Sequence, residues 1–399
     1  MVSFHYKELK TISKNTKLID TYFISRVSVS PYRSCVHDCK YCDGRAEKYY
    51  IEGSFEKDIV VRRNTPDLLD EKLKKSREKG FVMLGSGTSD PYQFIELKEK
   101  LTREILKRIK KNKHSVIIMT KSANVLRDID ILRKINSYGK AIVMFSLTYS
   151  DDVIRKDFEP YASPVAKRLN AIKVLKENGI AVGILAMPFL PFINDSYEQI
   201  KSFTGILKKL KVDFIIPGAL TLRPGIQKEY FMDVIEEKYP LIFERYQELY
   251  NKKLSSGAPK SWYVDELMEK IHDILQKYKI PMYIPHYLYK GVVPVYDEIS
   301  ILLAHMEMIY SSHGIDISRL KRGRKQYNEY LSSQRSYYNK KRSLRYTELE
   351  SRIVSSIENG QMINIIDNNK IIEFLKEIVV ENKEYDYINK RIIIENRKV

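Results

Sequence analysis

Three cysteines within eight residues are the most specific chemical feature of this chain. Cys35, Cys39 and Cys42 are spaced C-x3-C-x2-C, and the 399 residues contain no other cysteine. An odd trio of thiols does not suit a disulfide framework, and a structural zinc site usually closes with four ligands from two separated pairs. Three thiolates from one tight loop suit a [4Fe–4S] cluster, which leaves one iron open to an exchangeable ligand.

Two residues inside the loop bear on this interpretation. His37 would complete the Cys3His ligand set of a zinc site, which is the alternative to iron. It follows Cys35 by only two residues, so both side chains would reach one ion with difficulty, and the iron–sulfur interpretation is favoured. Tyr41, directly before the third cysteine, is expected to shield the cluster from water.

Short apolar segments alternate with helical patterns along the first 220 residues and would position this loop. The segments lack internal polar alternation, which predicts parallel strands covered by helices. Six such units predict an α/β fold, an open, partial (β/α)6 barrel with its chemistry at the carboxyl ends of the strands, where the cysteine loop lies. The predicted strands are 21–30, 81–84, 114–119, 141–147, 180–187 and 212–217, and the predicted helices are 65–79 (capped by Thr65), 95–111, 127–136, 164–178 and 197–210.

Polar residues and glycines at other strand ends are further candidates. Gly85, Ser86 and Gly87 follow the second strand, where two glycines let the backbone approach a ligand and carbonyls can hold an ammonium group. An ordinary turn explains the same residues. Ser146 ends the fourth strand, and Arg168 in the next helix offers a bidentate fork to a carboxylate, with a surface arginine as the alternative.

Length and composition indicate a globular protein with one large domain and an appendage. The apolar fraction of 43% is enough for a buried core. No N-terminal stretch joins a basic flank to an apolar core, and the longest apolar run, 180–193, is shorter than a membrane span. Thiolate ligands without disulfide pairs favour a reducing cytosol, so a cytoplasmic location is expected.

The net charge of +18 is concentrated near the C-terminus. From Arg319 to Arg345 there are ten Lys and Arg and one acid, Glu329. Five tyrosines alternate with these cations, a pattern that offers rings to bases and charges to phosphates, although a solvated helix explains it equally well. The tyrosines are residues 327, 330, 337, 338 and 346.

Three regions are predicted: a core over 1–230, a helical continuation packed on it over 231–318, and the basic segment with a small module over 319–399. In the last region, helices at 347–359 and 370–379 precede a hairpin at 385–395. This order is compatible with a winged-helix-like module.

The cysteine loop resembles the radical S-adenosylmethionine (SAM) signature, C-x3-C-x-aromatic-C. Residues 20–230 also resemble the spore photoproduct lyase-related branch of that family, often described as DNA repair photolyase-like. The matching segments, in order, are SPYRSCVHDCKYC (30–42), GTSDPYQ (87–93), TKS with a downstream RD (120–128), EP with RL (159–169), PFLPFIND (188–195) and LRPG (222–225).

The resemblance implies that SAM binds the free iron of a [4Fe–4S] cluster held by the three cysteines. Cleavage by one electron, from a flavodoxin- or ferredoxin-type reductant, would give a 5′-deoxyadenosyl radical that abstracts hydrogen from the substrate. By the same analogy, Gly85–Gly87 would contact the SAM amino group and Arg168 its carboxylate, while Ser146 and Met187 would line the nucleoside.

Spore photoproduct lyases resemble one another in a further cysteine that returns hydrogen to the product, and this chain has none. Either Tyr92 takes that role or the substrate is not the spore thymine dimer; the second is favoured. The leading hypothesis is a radical SAM enzyme acting on nucleic acid or a nucleic-acid-derived substrate, with DNA or RNA bound by 319–346. The rivals are an enzyme that modifies a peptide or small molecule, and a non-catalytic iron–sulfur protein that binds nucleic acid.

Overall fold

Six parallel strands form the central sheet, and each pairs with its neighbour along the chain. The structure is a computed structural model that describes residues 2–12, 16–85, 87–252, 254–341 and 343–393. Numbered in chain order, the sheet strands are β2 (Ser25–Val29), β5 (Phe81–Leu84), β6 (Ser115–Thr120), β7 (Ala141–Ser146), β8 (Ala181–Phe189) and β9 (Phe214–Ala219). The order β2-β5-β6-β7-β8-β9 leaves the two outer strands unpaired with each other, so the predicted open (β/α)6 barrel is confirmed.

Helices cover the outer face of this sheet. They are α1 (Thr65–Lys74), α2 (Glu96–Glu99), α3 (Leu101–Lys111), α4 (Ile129–Asn136), α5 (Asp152–Phe158), α6 (Val165–Glu177) and α7 (Tyr197–Lys209). Apolar side chains of α3, α4, α6 and α7 pack against one face of the strands, because their buried residues recur at helical spacing.

Two of the predicted helices differ from the structure. The helix predicted over 95–111 breaks at Lys100, which has a φ of 55°. The Glu96 carboxylate accepts from the Thr102 amide at 3.0 Å and so caps the start of α3. The prediction that Thr65 caps α1 was wrong: Asn64 precedes the helix, and the Thr65 hydroxyl donates to the carbonyl of Arg62 at 2.7 Å.

A second, smaller sheet lies beside the cysteine loop and was not predicted. It contains β1 (Ser3–Lys7), β3 (Tyr32–Arg33) and β4 (Asp58–Arg62), with β4 in the middle. β1 runs parallel to β4 and β3 antiparallel to it. Because β3 ends two residues before Cys35, this sheet fixes where the loop begins.

The second half of the chain packs on both faces of the sheet. It contains α8 (Ile226–Lys238), α9 (Phe243–Leu249), α10 (Ser261–Tyr278) and α11 (Val295–Ser311). Buried side chains of α8, α9 and α10 join the core on the outer face, whereas the region around α11 closes the inner face. Inward side chains of the strands, such as Phe81, Ile117 and Phe214, pack with Leu288 and Leu302 from the region around α11. None of the helices in the described ranges is long and apolar enough to cross a membrane.

The C-terminal region continues the same packing. It contains α12 (Ser318–Lys340), α13 (Tyr346–Glu358) and α14 (Asn369–Leu375), followed by the antiparallel hairpin of β10 (Glu384–Asp386) and β11 (Arg391–Ile393). The predicted hairpin is confirmed. Side chains of α11 belong both to the core inside the barrel and to the core under α12 and α13.

The basic, tyrosine-rich segment is a helix whose tyrosines mostly face inward. Tyr327, Tyr338 and Tyr346 are buried in the core beneath α12, Tyr330 is half-buried, and Tyr337 is 45% exposed. Three of the five tyrosines therefore do not present free rings: Tyr327 and Tyr338 face the core from α12, and Tyr346 begins α13. Contact of this segment with nucleic acid stays a prediction.

Candidate cofactor site

All three cysteines line one cavity of about 260 Å³ at the carboxyl ends of the parallel strands. Of the candidates from the sequence, the structure also brings Tyr41, Gly87, Ser146 and Met187 to this cavity. The other lining residues are His37, Asp43, Ser89, Asp90, Met119, Thr120, Lys121, Pro188, Ala219, Leu220 and Thr221. The cavity thus lies where a (β/α) barrel carries its chemistry.

Gln93 and Asp90 hold the backbone of the cysteine loop in place. The fully buried amide of Gln93 accepts from the Val36 N–H at 3.1 Å and donates to the Ser34 carbonyl at 3.1 Å. Asp90 accepts from the Thr120 hydroxyl at 2.7 Å and lies 3.5 Å from Nδ1 of His37. The segment GTSDPYQ, singled out in the sequence, therefore clamps the loop as well as bordering the cavity.

Arg45 fastens the other side of the loop. Its guanidinium pairs with Asp38 and with Glu56, the latter at 2.8 Å, and stacks between the rings of Phe55 and Tyr230 at 5.1 and 3.9 Å from their centroids. The Tyr230 hydroxyl also donates to Asp38 at 2.9 Å, which ties the loop to α8. These charge-assisted bonds make the backbone around Cys39 rigid.

Asp43 and Gly44, which follow the third cysteine, are fixed by contacts with neighbouring residues. Asp43 pairs with Arg223 of the LRPG segment and accepts from the Tyr49 hydroxyl at 2.7 Å. A Cβ on Gly44 would lie 2.7 Å from the Phe55 ring and 2.9 Å from the carbonyl oxygen of Gly87. Only glycine fits at this position.

Tyr41 is anchored beneath the cavity by a buried carboxylate. Its hydroxyl donates to Glu159, which also pairs with Nη2 of Arg168. Arg168 is completely buried and donates further to the carbonyls of Ser163 at 2.7 Å and Ser146 at 2.8 Å. The predicted contact of Arg168 with a ligand carboxylate does not fit this geometry, because each of its three guanidinium nitrogens already donates within the protein and it does not line the cavity.

Tyr92 does not reach the cavity either. It is fully buried, and its hydroxyl donates to Asp128 at 3.0 Å. The structure does not bring Tyr92 to the cysteine cavity, and its role as a hydrogen relay stays a prediction. Gly85 is buried with a φ of 112° beside the carbonyl of Met119 and does not line the cavity, whereas Ser86 lies outside the described residues.

Lys121 is the residue of the site that sequence reasoning undervalued. It follows β6, lines the cavity, and its ammonium lies 5.5 Å from the centroid of the Tyr41 ring. Burial opposes its charge, yet Cys39 (as a thiolate) and the carboxylate of Glu159 raise its pKa overall, so it is a cation at neutral pH. Its place directly after a strand was the available signal.

The thiols are protonated as long as no metal binds them. Burial raises the pKa of Cys35 to about 12 and also raises the pKa of Cys39 and Cys42. A metal that binds here must displace these protons, as thiolate ligation generally requires. The cation of Lys121 lowers the pKa of both Cys39 and Cys42 and so favours that step.

The donor set fits a multi-iron cluster better than a single zinc ion. A structural zinc site usually takes four ligands, whereas three thiolates suit a [4Fe–4S] cluster with one open iron. Among the described residues, no group of three or more His, Cys, Asp or Glu side chains could hold one metal ion. His37, the fourth ligand of the zinc alternative, faces Asp90.

Comparison with known proteins shows that residues 29–204 match the family model of the radical SAM superfamily. The chain is 32% identical over 247 residues to an uncharacterized protein of Methanocaldococcus jannaschii, which covers 61% of this chain and 85% of that protein. It is 27% identical over 260 residues to an uncharacterized protein of Mycobacterium bovis, over 64% of this chain and 75% of that one.

Two solved structures give weaker overall matches. A spore photoproduct lyase complexed with a dinucleoside spore photoproduct has a TM-score of 0.49 and 17% identity, over 69% of this chain and 79% of that one. Streptococcus suis SuiB bound to S-adenosylmethionine has a TM-score of 0.34 and 17% identity, over 55% of this chain and 45% of that one.

The superfamily match begins six residues before Cys35 and ends inside α7, so it contains the cysteine loop, four of the six strands of the sheet and the last residue of β2. From the extent of this match and the identity to the Methanocaldococcus protein, the chain belongs to the radical SAM superfamily, whose members use a [4Fe–4S] cluster and SAM.

Proposed function

We propose that this protein is a radical SAM enzyme whose cluster is held by Cys35, Cys39 and Cys42. The observation that supports this most is that three thiols without disulfide partners share one cavity at the carboxyl ends of the strands. When bound, the reduced cluster supplies the electron that cleaves SAM to methionine and a 5′-deoxyadenosyl radical. The protein's own residues supply binding, orientation and exclusion of water.

The cavity offers partners for both charged groups on the α-carbon of the methionine part of SAM. The ammonium of Lys121 suits its carboxylate, a role that the engaged guanidinium of Arg168 leaves open. The carbonyl oxygen of Gly87, 3.8 Å from Sγ of Cys42, suits its amino group. Ser146 and Met187 border the same cavity on the next two strands and suit the nucleoside.

The experiment that tests the chemistry is anaerobic reconstitution with iron and sulfide, followed by EPR of the reduced protein with and without SAM. We expect a [4Fe–4S]⁺ signal that changes on addition of SAM, and 5′-deoxyadenosine as a product. The Cys42→Ala variant is the matched control and should give neither. An EPR spectrum that does not change when SAM is added, or zinc bound in place of the cluster, would reject the proposal that the protein is a radical SAM enzyme.

For the substrate, the proposal is nucleic acid or a nucleic-acid-derived molecule. It is supported by the exposed cations of α12 and its flanks, among them Lys321, Lys325, Lys340 and Lys341. Cations of this kind bind phosphates without reading sequence. The test is hydrogen transfer: deuterium from a uniformly deuterated oligonucleotide should appear in 5′-deoxyadenosine, and none from a deuterated peptide.

One observation favours the second candidate, a peptide or small-molecule substrate. Arg335 of α12 binds Glu78, just before β5, so α12 packs at the end of the sheet opposite the cysteines. A substrate bound at the cysteine cavity need not touch that helix. If no deuterated nucleic acid transfers deuterium to 5′-deoxyadenosine, this second candidate is favoured.

A further inference from the structure

A second cavity lies at the opposite end of the barrel from the cysteines. This basal cavity has a volume of about 590 Å³ and lies between α1, Lys10–Ile12, the starts of β5 and β6, and the end of α12. Gly80, Phe81 and His114 line it where the strands begin, whereas Thr120 and Ser146 line the cysteine cavity where they end. Along the six residues of β6 the two cavities are about 20 Å apart.

The basal cavity carries an excess of positive charge. Seven Lys and Arg side chains line it, against three carboxylates. The three acids are already paired: Glu78 with Arg335, Asp297 with Arg26, and Glu71 with Lys75 at 4.0 Å.

Three of the cations have no acidic partner within the described residues. Arg77 donates only to the oxygens of Tyr338, Asn339 and Leu344, and Lys79 donates to the carbonyl of Asn112 at 2.8 Å. Lys10 is exposed at the mouth. Their charges are therefore available to an anion.

An independent observation also points to a ligand. His114 is 4% exposed, lines the cavity, and its Nε2 has no hydrogen-bond partner among the described residues. Buried polar atoms are rarely left unpaired. The His114 ring bonds the backbone of Gly80 and burial lowers its pKa to about 4, so the unpaired Nε2 is an acceptor and suits a ligand N–H or O–H, such as a base N–H.

The positive surface extends beyond the cavity. Asn339 and Tyr346 line it, and the exposed Lys340, Lys341 and Arg345 lie between them along the chain. A single phosphate would need fewer cations than this, whereas a backbone with a charge on every nucleotide would engage the cavity and this rim together.

We propose that the basal cavity and its rim at Lys340, Lys341 and Arg345 bind the phosphate backbone of a single-stranded nucleic acid. This site is distinct from the cysteine cavity, and its function does not depend on SAM chemistry. The protein would thereby bind the nucleic acid about 20 Å from the cysteine cavity.

The test is fluorescence anisotropy of the full-length protein with a labelled 15-nucleotide oligo(dT) at several salt concentrations. One variant replaces the rim (Lys340→Gln, Lys341→Gln and Arg345→Gln) and another the mouth (Lys10→Gln and Lys79→Gln). The matched control replaces three exposed lysines near the other edge of the sheet (Lys208→Gln, Lys209→Gln and Lys211→Gln).

We expect the rim variant to bind about tenfold more weakly, with a salt slope smaller by about 2, since each phosphate contact on single strands contributes about 0.7. For the mouth variant, the salt slope should be smaller by about 1. The control should bind like the unchanged protein. Equal losses in rim variant and control would overturn the proposal, because net charge alone would explain binding.

Two further results would also overturn it. If AMP or inorganic phosphate displaces the oligonucleotide at an equal phosphate concentration, the site takes small phosphate ligands. If double-stranded DNA of the same length binds more tightly than oligo(dT), the single-strand assignment fails. Thermal unfolding of each variant, expected within a few degrees of the unchanged protein, ensures that a loss of binding reflects the site.

Discussion

Tyr41 and Arg168 share the carboxylate of Glu159, so the aromatic residue of the cysteine loop and the arginine of α6 are held by one buried anion. Arg168 also donates to the carbonyl of Ser146 at the end of β7. The loop and the strand end that border the cavity are thereby linked through three buried side chains. Arg168 does not line the cavity, but it holds Glu159 and the end of β7 in position.

The Glu159→Gln variant should be less stable by about 3 kcal/mol, because removing one partner of a buried pair leaves the other charge uncompensated. Urea unfolding measures this loss. The control is Glu177→Gln on the exposed side of α6, which should cost nothing measurable. The double variant, Glu159→Gln with Arg168→Met, should lose much less stability than the sum of the losses in the two single variants. If the losses simply add, the two residues do not interact.

The Lys121→Met variant should bind SAM about ten- to hundredfold more weakly, since a charge-assisted hydrogen bond contributes about 1.5–3 kcal/mol. Equilibrium dialysis on the reconstituted protein measures this affinity. The exposed Lys98 provides the control, Lys98→Met. If Lys121→Met has a normal iron content and binds SAM with unchanged affinity, another residue must bind the SAM carboxylate.

Each single cysteine-to-alanine variant should lose the cluster after reconstitution, because a cubane with two protein ligands has two open irons and is readily lost. Iron and sulfide content per chain, with the absorbance near 400 nm, measures this. The chain has no fourth cysteine that could substitute. Full iron content in any one of the three variants would show that this cysteine is not a ligand.

Deleting residues 319–399 should give an insoluble or unfolded protein, not a functional core. The deletion would expose Tyr296, Ile299 and Leu303 of α11, which are now buried against α12, α13 and α14. Solubility and circular dichroism test this, with the rim variant as the control that keeps the helix. A soluble, cooperatively folded 1–318 fragment would contradict the shared core.

Stability should fall as the pH drops from about 6.5 toward 4, partly because of His305. Burial lowers its pKa to about 4 in the folded protein, and its two nitrogens bond to Tyr387 and the Thr21 carbonyl at 2.8 Å. Below pH 6.5 the unfolded chain binds a proton that the folded chain does not, so stability increases with pH in this window. Between pH 7 and 5 this histidine contributes about 2 kcal/mol.

Unfolding of His305→Gln at both pH values checks this contribution. The variant should be less stable at pH 7 but lose less on acidification than the unchanged protein. The exposed His5→Gln variant is the control and should keep the full pH dependence. An identical pH dependence in His305→Gln would assign the effect to other groups, such as His114, whose pKa is also lowered to about 4.

The parallel sheet was predictable because each strand is a short apolar run flanked by a helix, a pattern that few other folds produce. The loop at Cys35 was predictable because thiols at this spacing have few uses. The strand Ser3–Lys7 was not, since it is largely exposed and joins β4 mainly through backbone bonds, with His5 also contacting Asp58 at 3.3 Å. The pattern of apolar and polar side chains does not indicate that this strand pairs with β4.

The roles of individual charged residues were the least predictable. Arg168 looked like a ligand contact because its type suits a carboxylate, and it does bind one, that of Glu159 nine residues earlier. Lys121 looked ordinary, since a lysine after a strand is common. Which of the two faces the cavity depends on the packing of α6 against β7, which neither residue encodes locally.

The hairpin that follows α14 has a consequence for how the protein is made. Tyr385 and Tyr387 pack with the inward side chains of the strands, and the Tyr387 hydroxyl lies 2.6 Å from that of Tyr289. A ribosome adding about 5–20 residues per second needs roughly 10–30 s to make the roughly 170 residues between β9 and Tyr387. During that interval Leu288 and Leu302 can already cover part of the inner face, but the part that packs against Tyr385 and Tyr387 stays exposed until the hairpin has been made.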